Sequence, residues 1–99
     1  MEVKTDAHKA YMIQKAQLIK AMAHPIRLCV LDELIQNGEK NVSQINDCMG
    51  VSQSNLSQHL SKLRDLGIVE STKLGNQIYY RCEREDVIAI VNVIMRGER

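Results

Sequence analysis

The sequence predicts a mainly α-helical domain with one small β-hairpin, and the period of its apolar residues carries that prediction. Apolar residues recur at the three- and four-residue spacing of a helix along most of the chain. The period changes to two over GIVES and QIYYRC, as expected for two strands, and helical spacing then returns. With 99 residues, 44% of them hydrophobic and 25% charged, the chain has the length and composition of one folded domain over 1–99.

Two helices are expected in the first third of the chain. The first covers about Asp6–Ala23, and Met12 and Leu18 widen its main apolar stripe enough to suggest a second buried face. Pro25 begins the second helix, because proline suits a first helical turn, and the Asn37-Gly38 pair ends it. The main stripe of the first helix contains Ala10, Ile13, Ala16, Ile19 and Met22 or Ala23.

A pair of shorter helices should follow. Ser43 is expected to cap a helix over QINDCM, and Ser52 to cap QSNLSQHLSKLRDL, which Gly67 ends. The segment Met49–Ser52 is then the tight turn between these two helices.

The hairpin and a last helix complete the chain. A turn at Lys73–Asn76 joins the two strands, and the last helix covers about Arg84–Arg96. Ile88 and Val93 lie outside its main stripe and again suggest a second buried face. That stripe contains Val87, Ile90, Val91, Ile94 and Met95. About five helices with a two-stranded wing after the fourth make a winged helix-turn-helix.

The helix that begins after Ser52 has the composition of a DNA-reading helix. Leu56, Leu60 and Leu63 face inward, and small or amide side chains that can hydrogen-bond base edges occupy its N-terminal half. Its free backbone N–H groups can bind a phosphate, and the segment 52–81 has four Lys/Arg against two Asp/Glu. A polar face on an isolated helix is usually only exposed to solvent. Here a tight turn and a helix cap precede the helix and a hairpin follows it, and this combination favours DNA binding. The expected contacts are Gln53, Ser54, Asn55, Ser57, Gln58, His59 and Lys62 on the helix, with Arg64 adding charge, and Lys73, Asn76 and Gln77 on the wing.

Three segments, AMAHPIRLCVLDEL, VSQSNLSQHLSKLRDLGIVES and GNQIYYRC, resemble the arsenic-repressor (ArsR/SmtB) family of bacterial sensors in the family's own order. The resemblance implies a homodimer whose first and last helices pair across a two-fold axis. It also implies a transcriptional repressor that binds an imperfect inverted repeat in double-stranded DNA and leaves this operator when an inducer binds. By position, it assigns base reading to Gln53, Ser54, Ser57, Gln58 and His59, and the wing to Lys73–Gln77.

The inducer sites known in the family are not reproduced here. One metal site uses Cys-x-Cys, where this chain has Cys48 alone, and another uses His on the last helix, which contains none. We therefore expect no metal and no cofactor.

A persulfide-sensing branch of the family uses a cysteine where this chain has Asp32, with a second cysteine near the C-terminus. Cys29 lies one turn before Asp32, and we expect Cys29 and Cys82 to be the candidate pair for thiol sensing. The alternative is that each cysteine packs as a small apolar residue.

Other classes of protein receive little support. The chain has no Gly-rich phosphate loop, Gly-x-Ser-x-Gly or His-Glu-x-x-His motif, so we expect no enzymatic activity. It has neither an apolar run of membrane-spanning length nor a secretory signal, and three scattered cysteines form no disulfide framework. We therefore expect a cytoplasmic protein with free thiols. Two alternatives stay open, namely a constitutive DNA binder without an inducer site and a winged-helix protein-interaction module.

Overall fold

The computed structural model describes residues 5–45 and 48–97, and in these ranges it contains four α-helices, one 3₁₀ helix and a three-stranded sheet. The first half of the chain forms α1 (Asp6–Met22), α2 (Pro25–Asn37), β1 (Lys40–Asn41) and the 3₁₀ helix Val42–Gln44. The second half forms α3 (Gln53–Asp65), β2 (Glu70–Leu74), β3 (Gln77–Arg81) and α4 (Glu85–Arg96). The predicted winged helix-turn-helix is confirmed.

Local side chains determine where the first two helices begin and end. The Thr5 hydroxyl accepts a hydrogen bond from the His8 backbone N–H (3.1 Å) at the start of α1. At the start of α2, Nδ1 of His24 accepts from the Ile26 N–H, and Pro25 occupies the first turn. Gly38 ends α2 with a φ of 86°, a conformation that glycine adopts without steric cost.

The prediction of a helix capped by Ser43 is wrong in the described residues. Asn41, not Ser43, caps the short 3₁₀ helix: its side chain accepts from the Gln44 N–H, and the Gln44 side chain accepts from the Asn41 N–H. The predicted helix also covers Asn46 and Asp47, which lie outside the described residues, and it ended at Cys48 and Met49, which here belong to a turn. The fold therefore has four α-helices in its described ranges where about five were expected.

The sheet has one strand more than predicted. Its order is β1-β3-β2, with all neighbours antiparallel, so the wing hairpin is extended by the two residues of β1. Tyr80 lies at the centre, opposite Lys40 on one side and Ser71 on the other. A two-residue turn joins β2 to β3, and its first residue, Gly75, has a φ of 62°, as the turns that suit hairpins require.

The core lies between α2, α3, α4 and the sheet. Tyr80, Leu31 and Leu60 are among its largest fully buried side chains. The core comprises Met22, Val30, Leu31, Leu34, Ile45, Cys48, Leu56, Leu60, Leu63, Ile68, Val69, Tyr80, Cys82, Val87 and Val91.

The outer faces of α1 and α4 contribute little to this core. Met22 is the buried residue of α1, whereas Ile13 and Ile19, from its predicted apolar stripe, are each 59% exposed. On α4, Val87 and Val91 are buried but Ile94 is 60% exposed. A single chain thus leaves much of the apolar surface of both helices in contact with water. None of the described helices combines the length and the apolar character that crossing a membrane requires.

Candidate nucleic-acid interface

The helix α3 is held at its N-terminus by a cap and along its inner face by leucines. The Ser52 hydroxyl accepts a hydrogen bond from the Asn55 N–H (3.1 Å), which satisfies one of the first free N–H groups of the helix. Leu56, Leu60 and Leu63 are buried at the i, i+4, i+7 spacing that the sequence predicts. The opposite face must therefore point away from the core.

The polar side chains expected to contact DNA occupy that outer face to different degrees. Gln53, Ser54, Gln58 and Lys62 are exposed, while Asn55 and Ser57 are half-buried. Exposed amide and hydroxyl groups near a helix N-terminus are the chemistry that reads base edges in a major groove. Lys62 and Arg64 lie in the last turn of the helix, where Arg64 also pairs with Asp65 at 3.3 Å.

His59 occupies a different environment from the other predicted contacts. It is half-buried, its Nδ1 accepts a hydrogen bond from Nε of Arg27 (3.2 Å), and its ring centroid lies 4.5 Å from that of His24. Burial lowers the pKa of His59, and the nearby His24 and Arg27 lower it further. Arg27 also donates to the carbonyl of Ala21. His59 therefore joins α3 to the start of α2, and its Nδ1 already accepts a hydrogen bond from Arg27. The sequence gives no signal for this long-range cluster.

The wing presents its predicted residues to solvent. Lys73, Asn76 and Gln77 are all exposed at the end of the hairpin. At the other end of the hairpin, Arg81 forms ion pairs with Glu39 and Glu83, so its positive charge is compensated within the fold. Lys73 is therefore the residue of the wing best placed to meet a phosphate.

The cysteines pair differently from the prediction. Cys29 in α2 forms a disulfide with Cys48, with S–S 2.05 Å and Cα–Cα 5.8 Å. The expected partner, Cys82, is a free thiol at the end of β3. It is buried, it donates to the carbonyl of Ile68, and its burial raises its pKa. The expectations of a Cys29–Cys82 pair and of free thiols throughout are therefore wrong, because packing brings the Cα of Cys48 to 5.8 Å from that of Cys29.

The position occupied by a cysteine in persulfide sensors holds an ion pair in this chain. Asp32 accepts a hydrogen bond from Arg96, near the end of α4, and the Arg96 side chain also donates to Asn92. This contact links α2 to α4 electrostatically. In the ranges 5–45 and 48–97, no group of three or more His, Cys, Asp or Glu side chains is arranged to hold a metal ion.

A capped helix with an outward polar face, followed by an exposed hairpin, defines a winged helix-turn-helix DNA-binding domain. The family described as "Bacterial regulatory protein, arsR family" matches residues 24–71. The transcriptional repressor PagR of Bacillus anthracis is 37% identical over 79 residues, which are 80% of this chain and 79% of PagR. The chain therefore belongs to the ArsR family of bacterial regulatory proteins, as its sequence motifs indicate.

Solved structures agree with this assignment. The crystal structure of NolR from Sinorhizobium fredii matches with a TM-score of 0.81 and 33% identity, covering 100% of both chains. The homodimeric winged helix-turn-helix DNA-binding domain of a Mycobacterium bovis protein matches with a TM-score of 0.77 and 34% identity, covering 96% of this chain and 87% of that domain. The fold and the family are thus supported by sequence and by structure.

Proposed function

We propose that this chain is a homodimeric transcriptional repressor that binds an imperfect inverted repeat in double-stranded DNA. The observation that carries the proposal is the outward polar face of α3, followed along the chain by an exposed wing. Gln53, Ser54, Ser57 and Gln58 read base edges. Lys62, Lys73, Asn76 and Gln77 bind the sugar–phosphate backbone, with Asn55 at the edge of the contact.

Dimerisation follows from the apolar surface of α1 and α4. Tyr11, Met12 and Ile13 are exposed on α1, and Val93, Ile94 and Met95 on α4. Burying such surface against a second copy removes it from water, and a two-fold pairing is the commonest way to do so. The name of the Mycobacterium bovis domain describes a homodimer of the same fold.

We propose repression from the named function of a relative, and a cytoplasmic location from the place where bacterial DNA is found. PagR is named a transcriptional repressor, and a repressor needs only to occupy a promoter. We propose that the chain acts in the cytoplasm, where bacterial DNA is found, and that it has no catalytic activity. An inducer would release it from DNA by changing how the two recognition helices are held.

The test is selection of DNA by the purified protein. Duplexes randomised over about 30 base pairs, long enough for two half-sites one helical turn apart, are selected by binding and then sequenced. We expect an imperfect inverted repeat with half-sites about 10 base pairs apart, and an affinity that falls steeply with salt. A selected site without two-fold symmetry would contradict the dimer. No enrichment at any salt concentration would favour a protein-interaction module instead.

A further inference from the structure

The Cys29–Cys48 disulfide connects two parts of the chain with different tasks. Cys29 lies in α2, which packs against both α3 and α4. Cys48 begins the turn that leads through Val51 to Ser52, the cap of the recognition helix. The bond therefore joins the scaffold of the domain to the entry of its DNA-reading helix.

The turn that follows Cys48 has an unfavourable backbone conformation. Met49 has a φ of 62°, which a residue with a side chain rarely adopts, and Gly50 follows with a φ of 70°. Met49 is 68% exposed, so its own side chain makes little contact that would hold this conformation. Cys48, in contrast, is buried and covalently joined to α2. The disulfide is thus a covalent restraint on the position of this turn, beside the hydrogen bond from the Val51 N–H to the Cys48 carbonyl and the packing of Val51 on the core.

We propose that Cys29 and Cys48 form a thiol–disulfide exchange site for low-molecular-weight thiols and disulfides, and that the disulfide holds α3 in its operator-binding position. The inference rests on the proposed DNA-binding function. In the reduced protein the turn is released, the start of α3 gains freedom, and ordering it on DNA costs part of the binding free energy.

The exchange proceeds in two balanced steps in each direction. Cys48 is buried whereas Cys29 is only partly buried, so an external reagent reaches Cys29 first. On oxidation, the Cys29 thiolate attacks a low-molecular-weight disulfide, forming a mixed disulfide and releasing one thiol. The Cys48 thiolate then attacks the Cys29 sulfur and releases the second thiol. Two protein thiols are oxidised to one disulfide, one external disulfide is reduced to two thiols, and reduction reverses both steps.

In the cytoplasm, such a disulfide is expected to form and break with the redox state of the thiol pool rather than to be permanent. Cytoplasmic thiol pools keep most protein cysteines reduced, and disulfides that do form there are usually transient and redox-sensing. A regulator whose DNA-reading helix is held by this bond would bind its operator when the thiol pool becomes oxidised. Cys82 takes no part in the thiol–disulfide exchange, because its thiol is buried and donates a hydrogen bond to the Ile68 carbonyl.

The experiment compares oxidised and reduced protein on the duplex selected above. The Cys82→Ser variant is used as the parent, because it leaves Cys29 and Cys48 as the only cysteines of the three in the chain. Affinity is measured by fluorescence anisotropy at one salt concentration, after treatment with glutathione disulfide or with dithiothreitol. We expect reduction to weaken binding by about fivefold or more, which is the lower range of ordinary coupling between sites. The additional variant Cys48→Ala should bind at the reduced level under both treatments.

A second measurement uses the reciprocity of coupled equilibria. If the disulfide strengthens DNA binding by some factor, saturating duplex must stabilise the disulfide against dithiothreitol by the same factor. Equal affinities of the two forms, tighter binding by the reduced form, or an exchange equilibrium unaffected by duplex would each overturn the inference. Loss of the helical circular dichroism signal on reduction would also overturn it, since the disulfide would then only maintain folding. Failure of the selection itself would instead refute the proposed function.

Discussion

Reducing the Cys29–Cys48 disulfide should lower the free energy of unfolding by about 3 kcal/mol. The two cysteines are 19 residues apart in sequence, and a cross-link over that separation removes loop-closure entropy from the unfolded chain. The dependence on loop length is logarithmic, so the value is close to the one expected for a loop of about 15 residues. This value counts the effect of the cross-link on the unfolded ensemble alone.

The effect is large enough to measure in two ways. Urea lowers the stability of small proteins by roughly 1–3 kcal/mol per molar, so the unfolding midpoint should fall by about 1–3 M. In a thermal scan, a domain of this size should lose more than about 10 °C in Tm. Native domains have roughly 5–15 kcal/mol of stability, so the reduced protein should remain folded at room temperature.

The assay is equilibrium unfolding followed by far-ultraviolet circular dichroism, with and without dithiothreitol. Both samples must have the same protein concentration, because dimerisation adds to the apparent stability. Cys82→Ser is the control for effects of the reductant on the third cysteine, and its disulfide-dependent difference should match that of the wild type. A midpoint that moves by less than about 0.3 M urea would refute the loop-closure reasoning.

Three further predictions address the dimer, the DNA contacts and the histidine cluster. Ile94→Glu should convert the dimer to a monomer in sedimentation without loss of helix, because this side chain is 60% exposed in the single chain. Gln58→Ala should cost about 1–3 kcal/mol and relax preference at one base pair per half-site, whereas Lys73→Ala should weaken all sequences alike and reduce the salt dependence. The fold lowers the pKa of His59 and so favours its neutral form. Stability should therefore be highest above pH 6.5, decline as pH falls below that value, and lose part of this dependence in His59→Gln.

Each of these predictions has an outcome that contradicts it. Leu74→Glu changes a side chain of similar exposure (61%) on the wing, and it should leave the dimer intact. Dissociation by both variants would argue against the α1 and α4 interface. Equal behaviour of Gln58→Ala and Lys73→Ala across sequences would remove the division between base reading and phosphate binding. A His59→Gln variant with the pH dependence of the wild type would place the titrating group elsewhere.

Short-range signals in the sequence determined most of the helices and the hairpin. The capping oxygen of Ser52, the glycine at the end of α2 and the change of apolar period each act within a few residues. They could therefore be read without knowing the rest of the fold. The inward leucines of α3 also follow from spacing alone, and they define by exclusion which side chains the helix presents outward. For this reason the residues proposed to contact DNA could be named from the sequence.

The tertiary structure alone decided what depends on residues far apart in the chain. The strand β1 exists because Lys40 and Asn41 reach the edge of β3, and Asn41 then caps a 3₁₀ helix where an α-helix was predicted. His59 accepts a hydrogen bond from Arg27, which lies 32 residues earlier in the chain. The position of His59 on α3 therefore could not reveal this partner. Cysteine pairing is decided in the same way, because a disulfide needs Cα atoms within about 7 Å and only packing sets that distance. Spacing along the chain could not distinguish Cys48 from Cys82 as the partner of Cys29, since the separation in space is a property of the folded core.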